Sequence, residues 1–468
     1  MRVSYAGLTR NNRTKHLNHI LKPSAIFTVL LAVGGCATYH ALPLAESSNL
    51  KTGLEQLNLT VPSKGSNNDP TKINPEKPLS PDKIGLVAVL NSPSLASQPG
   101  QLSAARAGLL SATLLPNPSL SVDYEFFLGG PATNNSLVAS ISEDIRSIVT
   151  YGPRVKAARA RFGRVKADLL WQEWQVAQRA RLLAVDIYAA NRELEVRGKE
   201  LNLLDKEVNR VRTAASAGNL TLTALAPLQA AKASAETANA TARMTLMKDW
   251  QDLDALIGLD PSVRFAIAAP TPISSPDNIN PLIKTLPKRR PDLVALQLGY
   301  RAADQDVREA ILGQFPAFTI GPGGGWDTSR VYSMGPIISM DLPVFNRNQG
   351  KIASVRATRV RLHADYQARL DDAVSNIHAF IARIQTIKSN LKRSRSASEE
   401  AGSLADSALQ AYKQGNLDQR SLTDYQTTAL RRQLEVLNYQ RALDETTLAL
   451  SIELAIGFPE TIPVSSEK

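Results

Sequence analysis

One cysteine, Cys36, and five histidines are the only thiol and imidazole groups in 468 residues. A single thiol makes neither an intramolecular disulfide nor a CxxC pair, and histidines scattered along a chain make a poor structural zinc site. His363 and His378 fall in helical stretches with no paired acid, nucleophile or glycine-rich cofactor loop beside them. They read as structural or exposed, and the chain as no enzyme. "GPGGGW" (321–326) has the glycines of a phosphate loop, but no Lys-Ser or Lys-Thr follows and it lies in strand-like sequence. Glycines packed into a sheet wall fit it better. No cofactor and no metal are expected.

The chemistry open to Cys36 follows from what precedes it. The first 24 residues carry Arg2, Arg10, Arg13, Lys15 and Lys22 and no acid, and Ala25 to Val33 is an apolar block of nine. That is the pattern of a signal peptide, too short to span a bilayer as a helix. Val33-Gly34-Gly35-Cys36 resembles the lipobox of bacterial lipoproteins, in which cleavage precedes the cysteine and its sulfur carries a diacylglycerol. By that resemblance residues 1–35 are a leader, an unusually long one whose true start could differ, and Cys36 is a lipid anchor. Ala37, in place of an aspartate, favours the outer membrane. Loss of the leader removes five positive charges and takes the formal net charge from +11 to +6. Without clustered bases interleaved with aromatics, a nucleic-acid role has little support.

After the leader no run of 18 or more apolar residues occurs, so any passage through a membrane must be made by strands. Residues 36–82 are polar and punctuated by six prolines from Pro43 to Pro81, which reads as a lipidated extended tether. A second proline-rich stretch, 259–291, separates two halves, 83–258 and 292–458, with a tail at 459–468. The halves share landmarks at one spacing: Pro93-Ser94-Leu95 and Pro291-Asp292-Leu293, Pro116 and Pro316, Gly218-Asn219-Leu220 and Gly415-Asn416-Leu417, Ile257-Gly258 and Ile456-Gly457. A duplication explains this best.

Each half reads as a short helix (about 101–114 and 292–314), two strands, a very long helix, a Gly-Asn turn and another long helix. In 118–128 Leu120, Val122, Tyr124 and Phe126 share a face; 136–145 is the second strand; and Tyr332, Met334, Ile338, Met340 and Leu342 alternate likewise. These runs have about the 9 to 11 residues of a tilted membrane strand. Ile187, Leu194, Leu201 and Val208 repeat every seven residues, as do Ile377, Ile384 and Leu391, so the helices are expected in coiled coils. Four strands cannot close a barrel, and open edges are not tolerated in lipid. Chains must therefore associate, and three copies would supply twelve strands. The expected fold class is mainly α with a small membrane β part: a long α-helical coiled-coil barrel plus four strands per chain in a trimeric twelve-stranded β-barrel, on an internal two-fold repeat.

Over roughly 83–458 the chain resembles the TolC family of outer-membrane efflux channels. "LLPNPSLSV" (114–122), "RRPDLVALQLGYRAADQDVREAILGQFPAF" (289–318), "DLPVFNRNQGKIASVRA" (341–357) and "AYKQGNLDQRSLTDYQ" (411–426) carry the likeness, in order and on the duplicated frame. The resemblance implies a homotrimer in outer-membrane lipid, its helical tunnel docked to a periplasmic adaptor, or membrane fusion protein, and to an inner-membrane pump that supplies the energy. "PVFNRNQG" is most similar to the cation-efflux branch, which serves pumps of the resistance-nodulation-division type. Gly218, Asn219 and Leu220, with Gly415, Asn416 and Leu417, would be the adaptor-docking tips. Asp424 matches one of two aspartate rings at the tunnel entrance, Ser421 stands at the other, and Asp418 lies nearby without matching. Tyr412 matches a gate tyrosine whose partners here are Ala224 and Leu417, which depart from the pattern. The rival reading is a periplasmic coiled-coil lipoprotein acting as spacer or adhesin; it explains the anchor and the heptads but not the strands. Cargo, whether drugs, metal cations or peptides, is not legible in a passive duct.

Overall fold

The computed structural model describes residues 38–61, 71–126, 128, 134–271 and 278–457. Cys36, the leader, the tail beyond Gly457 and residues 129–133 lie outside the described residues. Residues up to Asn49 form one unit and those from Leu50 onward another; the second carries all the elements below.

Helices dominate. α1 (Pro81–Asn91) and α2 (Gln98–Thr113) precede the first strands, and α3 (Ile145–Ser216) then runs for 72 residues, about 108 Å at the α-helical rise. It starts where the sequence provides a cap: Asp144 Oδ1 accepts from the Arg146 N–H at 2.9 Å. α4 (Leu222–Ile257) returns along it. The second half repeats the order with α5 (Asn280–Arg289), α6 (Pro291–Leu312), α7 (Gln349–Lys413, 65 residues) and α8 (Gln419–Glu453). Of the heptad positions, Ile187 and Val208 on α3 and Ile377, Ile384 and Leu391 on α7 are buried, whereas Leu194 and Leu201 are half-buried; Leu204, Val211 and Ile387 beside them are buried.

Two stretches depart from the sequence reading. The tether was expected to have little core, yet Leu54, Leu57, Leu59, Ile73 and Leu79 pack with α1, α3 and α4 in one apolar cluster. Lys51 and Leu79 also form backbone bridges to Leu259 and Ile267. The proline-rich linker likewise holds α5, whose Leu286 joins Ile377, Ile384, Leu450 and Leu454. Proline density marked both segments as irregular; it carried no information on their leucines, which are what the long helices leave room for.

At the junction of α5 and α6 a cation is buried. Arg290, 2% exposed, pairs with both oxygens of Asp292, with Glu453 at the end of α8, and lies 5.1 Å over the Trp171 ring of α3. Arg369 of α7 reaches the same Asp292 at 2.8 Å. Burial alone would push the Asp292 carboxyl up, but the two guanidinium groups hold it below its ordinary range.

The strands form one antiparallel sheet in the order β3 (Ser119–Glu125), β4 (Ser136–Asp144), β5 (Phe318–Trp326), β6 (Tyr332–Met340), while β1 (Thr60–Val61) and β2 (Thr71–Lys72) make a separate pair. β4–β5 pairing joins the two halves. It depends on the glycines of "GPGGGW": a Cβ on Gly321 or Gly325 would fall on the backbone carbonyl of Ile141 or Leu137. The wall-glycine reading thus has its physical reason.

Two outcomes follow. Arg290→Leu leaves Glu453 without its cation and Asp292 with Arg369 alone, and a loss of about 3 kcal/mol is expected, seen as a lower unfolding midpoint of the purified protein. Gly325→Ala is expected to leave helical circular dichroism unchanged while sharply reducing recovery of assembled protein from membranes; unchanged recovery would mean that β4 and β5 do not need this close approach.

Candidate functional site

The sheet has two unlike faces. Along the register, Tyr124, Leu137, Trp326 and Tyr332 form one row across all four strands. With them on one face stand Leu120, Val122, Ile141, Phe318, Ile320, Met334, Ile338 and Met340, all exposed. The aromatic row closes one end of this apolar field, with the Trp326 and Tyr332 rings 6.2 Å apart and Tyr124 packed on Phe126 at 4.6 Å. Aromatics at the margin of an apolar band are what a membrane interface selects. The opposite face is mostly small and polar: Ser119, Ser121, Ser140, Ser142, Thr319, Gly321, Gly323, Gly325, Ser333 and Ser339, with the acids Asp123, Glu125 and Asp144, interrupted by Val138 and Ile337; Glu143 is an acid on the apolar face, beside Ile320. β3 and β6 each pair on one side only.

The two Gly-Asn turns are superimposable in their bonding. Gly218 and Gly415 take φ of +74° and +76°, a region that glycine enters without penalty. In each, the asparagine N–H reaches back to a carbonyl five residues earlier (Asn219 to Ala214, 2.9 Å; Asn416 to Ala411, 2.8 Å), closing the helix in a Schellman turn. Leu220 is 45% exposed and Leu417 half-buried. Asn219 and Asn416 are exposed.

Beside the second tip, Asp418 caps α8: its carboxylate accepts from the Ser421 N–H at 3.0 Å and the Ser421 hydroxyl at 2.6 Å. These bonds hold its pKa below the ordinary value. Ser421 is thus engaged in the cap. Asp424 is exposed and, with Ala401, Leu404, Tyr425 and Thr428, lines an open hollow of about 310 Å3. Tyr412 sits on the last turn of α7, 39% exposed, while Ala224 packs on Val208, Val211 and Leu225 of the other hairpin.

The sequence reading missed the seam between the two hairpins. On α3, Asp186, Glu193, Glu200 and Glu207 recur every seven residues, and their side chains are only 14, 18, 8 and 3% exposed. Three of them face α8: Asp186 pairs with Arg441 at 3.0 Å, Glu200 with Arg431 at 3.1 Å, and Glu207 accepts from the Thr423 hydroxyl at 3.4 Å. The signal was available, because acids at a heptad spacing on a helix with a heptad core lie beside its seam. Asp186 is pushed up to about 7 by burial first and then by its contact with Glu445, against the pull of Arg441, with Asp249 of α4 adding like charge.

The chain thus joins a four-stranded sheet with one mainly apolar exposed face to two helical hairpins, each built on one very long helix, α3 of 72 residues and α7 of 65. Residues 282–454 match the family described as outer membrane efflux protein. No curated protein matches the sequence. Among solved structures, the outer membrane protein VceC of Vibrio cholerae is 20% identical, with a TM-score of 0.65 over 81% of this chain and 97% of that one. The open state of the MtrE outer membrane channel of Neisseria gonorrhoeae is 14% identical, TM-score 0.66, over 90% and 97%. The CmeC outer membrane channel of Campylobacter jejuni is 14% identical, TM-score 0.66, over 82% and 87%. At such identities the likeness is one of fold, and the fold is that of the TolC-type outer-membrane channels.

The seam has a pH signature. The folded pKa of Asp186, about 7, lies above its unfolded value of about 3.9, so its contribution to stability is complete below the unfolded value and is lost as pH rises through 7. The unfolding midpoint of the purified protein is expected to fall between pH 5.5 and 8. In Asp186→Asn that slope shrinks, leaving the part of the same sign from Asp254, which burial pushes up to about 6 against Arg264. Equal slopes in both proteins would remove Asp186 from the seam's titration.

Proposed function

We propose that three copies of this chain close a twelve-stranded barrel in the outer membrane and form the exit duct of a tripartite efflux system. The observation that carries this reading is the sheet: an apolar, aromatic-ended face with both edge strands unpaired. Neither edge is tolerable in lipid, and pairing β6 of one copy with β3 of the next removes every edge at once. The small polar face then lines the lumen, and the hairpins α3–α4 and α7–α8 bundle into a tunnel across the periplasm. Cys36, carrying acyl chains after removal of residues 1–35, anchors each subunit; buried chains contribute about 0.8 kcal/mol per methylene.

In this reading the duct is passive. A periplasmic adaptor docks at the tips around Leu220 and Leu417, and an inner-membrane pump, of the resistance-nodulation-division type by the likeness of "PVFNRNQG", supplies energy and cargo choice. Asp424 is the acid that three-fold symmetry would repeat as a ring at the entrance, where carboxylates favour cations. Ser421 and Tyr412 flank it.

The decisive measurement is conductance. The lipidated protein, extracted from outer membranes, is expected to run as a trimer in detergent and to give discrete channels in planar bilayers. In Asp424→Asn the cation preference of those channels falls. In cells, a photo-crosslinker on Asn416→Cys is expected to join the chain to an adaptor protein. A monomer without conductance and without that crosslink would instead favour the spacer lipoprotein.

A further inference from the structure

Where each of the two longest helices leaves the sheet, apolar residues come first and bases next. After β4 stand Ile148 and Val149, both exposed, and then Lys156 and Arg159; after β6 stand Leu342, Val344 and Phe345, the last 93% exposed, and then Arg347, Lys351 and Arg356. The bases are not balanced along the chain. Residues 145–166 carry seven of them and no acid, and residues 342–361 five and no acid. By contrast, residues 126–135, which join β3 to β4, carry no charge, and 327–331, which join β5 to β6, carry one acid and one base. The excess of positive charge stands at the helix end of the sheet.

Packing within the chain uses only part of it. Asp306 and Asp304 of α6 take Arg161 and Arg359, while Arg164 and Arg361 pair along their own helices with Asp168 and Asp365. Arg146, Lys156, Arg159, Arg347, Lys351 and Arg356 make no ion pair among the described residues. Arg146 and Lys351, in first turns, even oppose the helix dipole, so helix stability does not account for the pattern. Two acids stand at the edge of the sheet, Glu143 on its apolar face and Asp341 after β6.

The bases divide between two sides. Arg146, Arg154 and Lys351, with Asp306 and Glu309, line a hollow of about 720 Å3 that reaches Asp144 on the polar face. Lys156 instead follows Val149, and Arg159 follows Ile148, by about two and three helical turns, so both bases stand below exposed apolar side chains on one face of α3.

We propose that this outer collar binds the headgroup phosphates of anionic phospholipid, with Lys156 and Arg159 at one point of the rim and Arg347, below Phe345, at another. The inference rests on reading the sheet as the membrane-spanning part. Reach comes from the helix direction. Both α3 and α7 start at the sheet, so their Cα–Cβ bonds lean back toward it, and a long basic side chain carries its charge toward the headgroup layer with its stem along the helix. A zwitterionic lipid offers the same phosphate but balances it with its own cation; an anionic one leaves its net charge to these bases.

The test uses the full-length protein extracted from outer membranes, stripped of lipid in detergent, and titrated with phosphatidylglycerol or with phosphatidylcholine of the same acyl chains, bound lipid being counted by native mass spectrometry. Phosphatidylglycerol is expected to bind at least about fivefold tighter, and added salt narrows the difference. The triple variant K156E/R159E/R347E removes the preference, whereas R383E/K388E/K392E, an equal change of charge on the shaft of α7, keeps it. Should the glutamate triple not be recovered, K156Q/R159Q/R347Q decides in its place, with the same loss expected. Equal binding of the two lipids, a preference unmoved by the collar triple, or one lost equally in the shaft variant overturns the proposal. Displacement of the lipid by millimolar inorganic phosphate overturns it too, since the site would then be one for a free anion. Insertion into phosphatidylcholine vesicles separates the two ideas: insertion without lipid preference ends the collar alone, and no insertion into vesicles of either lipid ends the barrel reading and the collar with it.

Discussion

Two helices must be joined end to end where α8 stops and α6 begins, and a single guanidinium does it. The end of α8 presents unsatisfied carbonyls, and Arg290 and Arg289 take those of Glu453 and Ala455. The start of α6 presents unsatisfied N–H groups and a positive dipole end, and Asp292 stands in that first turn. Arg290 and Asp292 then neutralise each other, so each helix terminus is matched by a side chain that the other terminus also needs. Trp171 and Arg369 close the site from α3 and α7.

The first half makes the same junction with neutral chemistry. Ser92 and Asn91 occupy the places of Arg290 and Arg289, Gly258 takes a φ of +84° beside Pro93, and Asn91 exchanges bonds with the backbone of Asn58 at 2.7 and 2.9 Å. A repeat can thus keep its geometry while one copy is held by charge and the other by amides. The segment around Asn58, read from its prolines as a tether, is what the neutral version requires for completion.

Much of this was legible because long-range order here is built from local periods. Seven-residue spacing located the long paired helices, alternation located the four strands and their exposed apolar face, and the Gly-Asn pairs located both turns, since each signal lies within one element. The missing parts were those whose meaning depends on a neighbour. An acid at 186, 193, 200 or 207 is by itself a solvated helix residue; only the presence of α8 makes Asp186, Glu200 and Glu207 buried partners of Arg441, Arg431 and Thr423. The cap at the start of α8 was missed as well: the Ser421 N–H and hydroxyl bond Asp418, while Ser421 also lines the hollow that holds Asp424. Asp424 is exposed beside Tyr425, a placement that a ring of three would use.

The contrast between seam and hairpin has a mechanical consequence. Within each hairpin the buried contacts are mainly apolar, as in the cluster of Val208, Val211 and Leu225 or that of Ile377, Ile384 and Leu450, with polar links such as Lys232–Asp205 and Arg395–Gln440 at the exposed margins. Between hairpins, the α3–α8 contacts include a ladder of buried carboxylates. Apolar contacts gain free energy in proportion to the area they hide, whereas a buried ion pair returns in attraction roughly what its desolvation costs. The hairpins are therefore cohesive bodies, and the ladder fixes their register more than it binds them together. The duct proposed above would need walls that keep their internal packing while their boundaries shift. Charges spaced by the heptad give that boundary a defined resting position at little cost in rigidity.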